Sequence, residues 1–311
     1  MISVVIPLYN KEKQIVKTLQ SVLQQTFQDF EVVIVNDGST DGSVAAAEAV
    51  QDARIRIIHQ ENAGVSAARN RGITEAKYEL IAFLDADDRW KPEYLQTQYE
   101  LTQKYPECSV FACNYEFVHA DGSVHPSIIR KLPFEEQDGI LSNYFEVASC
   151  SHPPICSISI MARKDALHAV GGFPVGIKSG EDLLTWARLA CDGLIAYSRS
   201  AEACFYEDSS HSISRRPSRP HDENDRVGEG LCSLLVKTSD AVTRRYLKRY
   251  ISLWYKMRTS VCMRVGSVCG AWYYGLKTLW FSLLNVKVLV MMILVLIPVT
   301  VRLKILKYIE K

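Results

Sequence analysis

The sequence has no two cysteines spaced as a Cys-x-x-Cys pair, although it contains nine cysteines in 311 residues. Zinc sites usually show such pairs, and these cysteines lie mostly in apolar stretches, so we expect buried free thiols in a reducing cytosol, with a zinc or disulfide role as the alternative. The N-terminus also has no basic segment before its first apolar residues. We therefore expect no signal peptide.

Net charge is nearly absent as well, at +1, and the chain is 48% hydrophobic and 23% charged, which is typical of a globular protein. The charges are unevenly distributed. Residues 1–230 contain 22 Lys and Arg against 33 Asp and Glu, whereas residues 231–311 contain 14 against 2. This division predicts two surfaces with different partners, and we expect no nucleic-acid partner.

The C-terminal region lacks an apolar run of the length that a membrane-spanning helix usually needs. Residues 288–301 form an uncharged stretch of 14 residues, followed by several basic residues, whereas a span takes about 20. The pattern favours an interfacial hairpin or a membrane-lying helix on anionic headgroups, peripheral or monotopic at the inner leaflet. The alternatives are a tilted span and an apolar helix buried on the globule or in a homodimer.

What the N-terminal part does contain is a regular alternation of two patterns. Apolar, β-branched runs alternate with helical patterns, the strands being expected at residues 2–6, 30–35, 55–58 and 80–84 and the helices at residues 11–25, 42–50 and 65–76. Such alternation predicts right-handed βαβ units, a parallel sheet and an α/β fold. Ligands bind such sheets at the carboxyl ends of the strands.

From about residue 108 the pattern changes. We expect strands at residues 110–119, 123–129 and 155–161, helices at residues 134–147 and 163–170, a further helix from residue 181, and a loop or lid at residues 209–226. A single long basic helix is expected at residues 227–265. The chain is accordingly divided into an α/β domain at 1–226, with halves at 1–107 and 108–226, and a helical C-terminal extension at 227–311.

Three carboxylates follow the last of the N-terminal strands. The apolar residues 81–84 lead directly to Asp85, Asp87 and Asp88. Oxygen ligands at a strand end suit a hard divalent cation, Mg²⁺ or Mn²⁺, that also carries phosphates. An Asp-x-Asp arises about once by chance in a chain of this length, so the strand before it is what makes the motif informative.

A second pair of carboxylates, Glu181 and Asp182, begins the helical pattern from residue 181. Acidic side chains are favoured at a helix N-terminus by the helix dipole, so the position alone does not establish a function.

Several spaced motifs together resemble glycosyltransferase family 2, an inverting family with the GT-A fold. The matching segments are residues 4–10 (VVIPLYN), 21–26 (SVLQQT), 35–41 (VNDGSTD), 62–70 (NAGVSAARN), 83–88 (FLDADD), 171–173 (GGF) and 181–182 (ED). The resemblance covers about residues 1–215. It implies a Rossmann-like, nucleotide-binding mixed sheet flanked by helices and joined to an acceptor-binding half.

The resemblance also implies roles for individual residues in binding a UDP-sugar. Pro7 and Tyr9 are expected to line the nucleobase pocket. Asp37 is expected to accept a hydrogen bond from the N3–H of uracil. Arg69 is expected to reach phosphate or sugar, and Asp85 ribose or sugar. Asp87 is the expected metal ligand. Asp88 is expected only to cap the following turn.

On the acceptor side, the resemblance implies that Asp182 is the general base and that Glu181 positions the acceptor or the base. The expected activity is transfer of one hexose or N-acetylhexosamine from a UDP-sugar to a hydroxyl of a lipid-linked or surface-glycan acceptor, with inversion and with Mg²⁺ or Mn²⁺. A polyprenyl-phosphate sugar synthase, an inverting hydrolase and a non-catalytic nucleotide-sugar-binding subunit are the alternatives.

Some family features are absent. Asn36 stands where many relatives have an aspartate, and the chain reads Tyr-Glu-Asp-Ser at residues 206–209 where many carry Tyr-Arg-x-His. His211 follows two residues later as a substitute candidate or a solvated loop histidine. The Gln-x-x-Arg-Trp motif of processive synthases does not occur, which favours addition of a single sugar.

Overall fold

The computed structural model describes residues 1–207, 225–298 and 301–302. The chain divides into two compact units, Met1–Ser212 and Ile213–Lys311. The expected lid at residues 209–226 falls almost entirely outside the described residues, as does His211.

The first half of the N-terminal unit consists of the expected βαβ repeats. Four parallel strands alternate with three helices in the order β1 (Ile2–Leu8), α1 (Ile15–Leu23), β2 (Phe30–Asp37), α2 (Ser43–Glu48), β3 (Ile55–Gln60), α3 (Val65–Glu75) and β4 (Leu80–Phe83). The strands form because β-branched residues fill positions that are buried on both faces of the sheet. Helix α1 forms because Ile15, Leu19 and Val22 recur at helical spacing and are fully buried.

The second half of this unit adds six strands and four helices to the same sheet. In chain order they are β5 (Arg89–Trp90), α4 (Tyr94–Lys104), β6 (Val110–Val118), β7 (Val124–Pro126), β8 (Asp138–Ile140), α5 (Tyr144–Cys150), β9 (Ile160–Arg163), α6 (Lys164–Ala169), α7 (Glu181–Asp192) and β10 (Ile195–Tyr206). The strand order is β3-β2-β1-β4-β9-β6-β10-β5, with β7 beside β6 and β8 beside β10. Strand β9 runs antiparallel to both β4 and β6, so the sheet is mixed.

Several features of this half differ from the sequence expectation. The short strand β5 was not expected, and the strand expected at residues 155–161 begins only at Ile160, as β9. Strand β10 was not expected, and the helix expected at residues 134–147 is wrong in its first part, where β8 pairs with β10. Asp138, in β8, is held by residues at the end of α4: its carboxylate accepts hydrogen bonds from Lys104 Nζ at 2.5 Å and from Tyr105 Oη at 2.7 Å. These long-range contacts and the sheet pairing outweigh the local helical pattern.

The C-terminal unit is helical in its described residues. It contains α8 (Arg226–Lys237), α9 (Ala241–Val265), α10 (Val268–Phe281) and α11 (Val286–Leu294). The single helix expected at residues 227–265 is therefore wrong. It is interrupted because Asp240 caps α9 by accepting a hydrogen bond of 2.6 Å from the Thr243 backbone N–H, while the Arg244 guanidinium binds the Leu235 and Thr238 carbonyls.

No helix in the part of the chain that the structure describes has both the length and the apolar character required to cross a membrane. Helix α11 has nine residues, of which seven (288–294) belong to the apolar stretch, and it ends at Leu294.

None of the nine cysteines, all of which lie in the described residues, forms a disulfide bond, but the expectation that they are mostly buried is only partly right. Cys108, Cys113, Cys204 and Cys262 are buried, whereas Cys191 and Cys269 are exposed and the other three are intermediate. Their apolar sequence neighbours did not distinguish the two groups, because exposure depends on which face of the element a residue occupies.

Candidate active site

The ends of three adjacent parallel strands form a polar edge of the sheet in the N-terminal unit. Strand β1 lies between β2 and β4 and is followed directly by Tyr9. Strand β2 ends with Asp37, and β4 ends two residues before Asp85. The sheet topology therefore brings together three of the predicted site residues, as expected for a ligand-binding edge.

Asp37 is nearly fully buried, and its carboxylate holds the beginning of α3. Oδ1 accepts hydrogen bonds from Gln60 Nε2 at 2.7 Å and from the Ala63 backbone N–H at 2.9 Å, while Oδ2 accepts one from the Gly64 N–H at 2.9 Å. A carboxylate offers about four acceptor sites, so Oδ2 retains capacity for one more donor. The predicted bond to uracil stays a prediction, and it would use that remaining lone pair.

Pro7 and Tyr9 lie at the end of β1. Pro7 is opposite Val35 in the sheet and partly buried, whereas the Tyr9 side chain is 47% exposed. The next residue, Asn10, accepts a hydrogen bond of 2.8 Å from the Thr40 backbone N–H, which ties the loop after β1 to the loop after β2. An exposed aromatic ring on a tethered loop is suited to stacking on a flat base.

Arg69, in the second turn of α3, contacts one carboxylate from each half of the unit. Its nearly buried guanidinium donates a hydrogen bond of 2.7 Å from Nη2 to Asp85 Oδ1, and Nη1 lies 3.5 Å from Glu181 Oε1. Charge-assisted contacts of this kind are strong when they are shielded from water. Arg69 therefore joins the carboxyl end of β4 to the beginning of α7.

The other oxygen of Asp85 is held by a residue that the sequence did not indicate. Ser157 Oγ donates to Asp85 Oδ2 at 2.8 Å. The loop that carries Ser157 is positioned by Trp90, whose Nε1 donates to the Ile158 carbonyl at 2.7 Å. Asp85 is thus fixed from both sides by Arg69 and Ser157.

Cys156 lies close to the carboxylates of this site. Burial, followed by the charge of Asp88, raises the pKa of the Cys156 thiol to about 12. The thiol is consequently neutral near pH 7 and poorly nucleophilic. This argues against a covalent intermediate on Cys156.

Asp87 forms an ion pair with the ammonium group of Lys11, and both side chains are partly exposed. The carboxylate is thus accessible to a cation at the sheet edge. Mg²⁺ is usually held by one or two carboxylates together with substrate phosphates, and Mn²⁺ accepts the same oxygen ligands, so Asp87 with the nearby Asp85 fits this donor chemistry. Within residues 1–207, 225–298 and 301–302, no group of three or more His, Cys, Asp or Glu side chains is arranged to hold a metal.

Asp88 does not cap the following turn as expected. Its side chain is almost fully buried, and it accepts a hydrogen bond of 2.7 Å from the Tyr206 backbone N–H at the end of β10. Burial, with Asp87 and Asp85 close by, raises the pKa of Asp88 well above its usual value. Asp88 therefore anchors the Asp85–Asp88 loop to β10 instead of facing a ligand.

Glu181 and Asp182 are the first two residues of α7 and follow Gly180, which has a positive φ of 85°. Burial raises the pKa of both carboxyls, and the charge of Asp182 helps to raise that of Glu181 to about 7. The nearby Arg69 guanidinium opposes both shifts. A carboxylate pair whose proton affinity is raised toward neutral pH is typical of general-base chemistry, although ion-pair networks produce such shifts too.

An aromatic cluster connects α7 to β4. The Phe173 ring packs edge-on against Phe83 at 5.2 Å and against Trp186 at 5.4 Å, and it lies 5.2 Å from the Arg69 guanidinium carbon. The backbone of Phe173 is held by Asn70, which donates to its carbonyl at 2.7 Å and accepts from its N–H at 2.8 Å. Packing therefore fixes Glu181 and Asp182 relative to Asp85.

The structure brings the predicted residues Arg69, Asp85 and Glu181 into one connected group. Asp182 lies close enough for its charge to help raise the pKa of Arg69 and of Glu181. Asp87 lies two residues along the same loop. Sequence reasoning missed Lys11 and Ser157 as site residues. Lys11 follows Tyr9 and Asn10 directly, a signal that was available, whereas nothing local marked Ser157.

Residues 3–169 match the family described as Glycosyl transferase family 2. Glycosyltransferase GlyG of Streptococcus pneumoniae serotype 4 is 40% identical over 128 residues, which cover 40% of this chain and 42% of GlyG. TuaG of Bacillus subtilis strain 168, named for teichuronic acid biosynthesis, is 30% identical over 217 residues, which cover 69% of this chain and 81% of TuaG. The chain spans less than half the length of the first curated relatives it matches.

Among solved structures, the chain resembles S. aureus TarS residues 1–349 in complex with UDP-GlcNAc. The TM-score is 0.64 at 21% identity, and the similarity covers 83% of this chain and 72% of that one. This similarity confirms the expected GT-A type of α/β fold.

Proposed function

Since this chain belongs to glycosyltransferase family 2, we propose that it transfers one sugar from a UDP-sugar to a hydroxyl of a lipid-linked or surface-glycan acceptor. The sugar is a hexose or an N-acetylhexosamine. The observation that carries the proposal is the contact of Arg69 with both Asp85 and Glu181. It unites a strand-end carboxylate suited to the donor with a helix-end carboxylate pair suited to the acceptor.

The donor is proposed to lie along the ends of β1, β2 and β4. Tyr9 stacks on the nucleobase beside Pro7, Asp37 accepts the uracil N3 proton, and Arg69 together with Asp85 contacts the phosphate and sugar. The UDP-GlcNAc bound by TarS, which shares the fold, supports a UDP-sugar as donor.

The departing diphosphate needs its developing negative charge stabilised. A divalent cation held by Asp87, with Asp85 nearby, would supply positive charge there. Asp182 accepts the proton of the attacking hydroxyl, and Glu181 positions the acceptor. Attack opposite the leaving group in a single displacement inverts the anomeric centre, so a UDP-α-sugar gives a β-linkage.

The acceptor is proposed to be presented at the inner leaflet of the cytoplasmic membrane, with the basic C-terminal unit attached there as a peripheral element. Residues 231–311 contain 14 Lys and Arg against 2 Asp and Glu, which favours an anionic surface. The naming of TuaG for teichuronic acid biosynthesis supports a cell-surface glycan as acceptor.

A panel of UDP-sugars scored by UDP release, with and without membrane extract as acceptor, tests the proposal. One UDP-sugar should give release that needs both acceptor and Mg²⁺ or Mn²⁺. Release from donor alone that persists in EDTA would instead indicate a hydrolase. Sugar recovered on added polyprenyl phosphate would indicate a polyprenyl-phosphate sugar synthase.

A further inference from the structure

The C-terminal unit contains a strongly basic cavity that the proposed reaction does not use. It has a volume of about 430 Å³ and lies where the first turns of α9 meet the end of α10. Four of its lining residues are cations on α9, namely Arg244, Arg245, Lys248 and Arg249. The C-terminal end of α10 contributes Phe281 and its capping residue Ser282 to the wall. The volume is in the range of small-ligand sites.

Phe281 and Ser282 carry no charge, so the positive charge of the cavity comes entirely from α9. Arg244 is engaged in structure, because its Nη1 donates to the Leu235 and Thr238 carbonyls at 2.5 and 2.7 Å. Arg245, Lys248 and Arg249 are exposed, and none of them forms an ion pair with a carboxylate of the described residues. Three uncompensated cations beside one cavity favour a ligand with negative charge.

Exposed apolar side chains flank the same cavity along the chain. Trp280 is 83% exposed, Leu283 is 80% exposed and Leu284 is 92% exposed. They directly precede and follow Phe281 and Ser282 of the cavity wall. Large apolar side chains left in water beside a cationic site are typical of a surface that enters the interfacial region of a bilayer.

We propose that this cavity binds the phosphate group of an anionic phospholipid at a bilayer surface, while Trp280, Leu283 and Leu284 enter the headgroup region. Arg245, Lys248 and Arg249 contact the phosphate. The apolar side chains become buried in the bilayer, a gain in binding free energy that a soluble anion would not provide. The proposal rests on the proposed membrane attachment of this unit. It stands or falls separately from the proposed sugar transfer.

Flotation of the full chain with vesicles tests the inference. The chain should bind vesicles of phosphatidylcholine with phosphatidylglycerol much more strongly than vesicles of phosphatidylcholine alone. The double variant Arg245→Ala/Lys248→Ala should weaken binding to the anionic vesicles by about 30-fold, since each cation near such a surface contributes about one decade or somewhat less. Trp280→Ser should weaken binding to the same vesicles and leave their charge preference intact.

The matched control is Lys17→Ala/Lys237→Ala, which removes two exposed lysines outside the cavity. It should bind nearly as well as the unaltered chain, and an equal loss would overturn the cavity as the site. Equal binding to neutral vesicles, or no loss in the double variant, would also overturn it. Displacement from vesicles by millimolar inorganic phosphate at constant ionic strength would reassign the cavity to a free anion.

Thermal unfolding of each variant checks that the helices are intact, because alanine at exposed helix positions is well tolerated. UDP binding to the double variant should equal that of the unaltered chain. Vesicle binding by a chain that transfers no sugar would leave this inference standing while the proposed reaction fails.

Discussion

Arg69 donates a hydrogen bond of 2.7 Å to Asp85, and through its other terminal nitrogen it reaches Glu181. One buried cation is thereby shared by the two halves of the α/β unit. Replacement of either carboxylate leaves Arg69 with less compensation in a poorly hydrated place, so effects at one carboxylate should extend to the other.

Asp87→Asn should abolish metal-dependent UDP release, because an amide is a poor ligand for Mg²⁺ or Mn²⁺ and contributes no charge. A titration of activity against Mn²⁺ measures the effect. Asp121→Asn, an exposed loop substitution, is the control and should behave as the unaltered protein. Full activity of the unaltered protein in EDTA would refute the metal role of Asp87.

Lys11→Met should tighten Mn²⁺ binding in the absence of nucleotide, because the ammonium of Lys11 competes for the Asp87 carboxylate. A partly exposed ion pair contributes up to about 1 kcal/mol, so the gain should be roughly two- to five-fold. Calorimetric titration of Mn²⁺ provides the measurement. Weaker Mn²⁺ binding in Lys11→Met would mean that Lys11 supports the metal site and does not compete with it.

Asp182→Asn should lower turnover by roughly 10²-fold or more while leaving UDP-sugar affinity nearly unchanged, because a general base acts only in the chemical step. Single-turnover rates and UDP-sugar titration separate the two quantities. Asp192→Asn, at the exposed far end of α7, is the matched control. A comparable loss of donor affinity in Asp182→Asn would assign Asp182 a structural role.

Glu181→Gln should stabilise the fold at pH 8 more than at pH 5. The folded state raises the pKa of Glu181 from its ordinary 4.5 to about 7. Ionisation of this buried group therefore costs stability progressively as pH rises between those values, and glutamine avoids that cost. Relative to the unaltered protein, the Tm of Glu181→Gln should therefore be higher by a few degrees at pH 8 than at pH 5, since about 1 kcal/mol corresponds to roughly 2–4 °C in a chain of this size. The loss of charge beside Arg69 affects both pH values and does not change the sign of this difference.

Thermal melts at both pH values measure this difference, with Glu100→Gln on the exposed face of α4 as control. That control should show no pH-dependent gain. A Glu181→Gln variant that is more stable at pH 5 than at pH 8, relative to the unaltered protein, would contradict the raised pKa.

Asn70→Ala should destabilise the N-terminal unit by roughly 1–3 kcal/mol, because the Phe173 backbone loses both hydrogen bonds to Asn70. Urea unfolding measures the loss. Thr74→Ala on the same helix is the control, since its hydroxyl bonds only to a carbonyl of its own helix. If both variants lost stability equally, the Asn70–Phe173 contact would not be the cause.

Much of the first half of the unit could be predicted because its signals are local. The β-branched strands and the placement of Asp85 after β4 follow from patterns within a few residues. Strand β10 was missed because its sequence mixes small, charged and aromatic residues, and its pairing with β6 contains register shifts. The break between α8 and α9 was marked by Asp240, whose capping role the basic helical pattern on both sides obscured.

Site residues that directly follow a strand could be predicted from the sequence. Site residues that are brought in by contacts between distant parts of the sequence were harder to predict. Asp85 and Arg69 lie 16 positions apart, and Ser157 lies 72 positions from Asp85. The Ser157 contact exists because Trp90 holds the Ile158 carbonyl, a tertiary arrangement that no local pattern encodes. Asp88, by contrast, belonged to the most conspicuous motif and proved to be an anchor for β10.

The packing of Phe173 between Phe83 and Trp186 has a consequence for the product of the proposed reaction. Because these rings set the spacing between the donor-side and acceptor-side carboxylates, the face of the sugar that is attacked depends on buried residues that touch neither substrate. Loops that recognise a particular sugar or acceptor are then free to change. In the proposed reaction, the buried scaffold would determine the anomeric configuration of the new linkage. The surface loops would determine which sugar and which acceptor are linked.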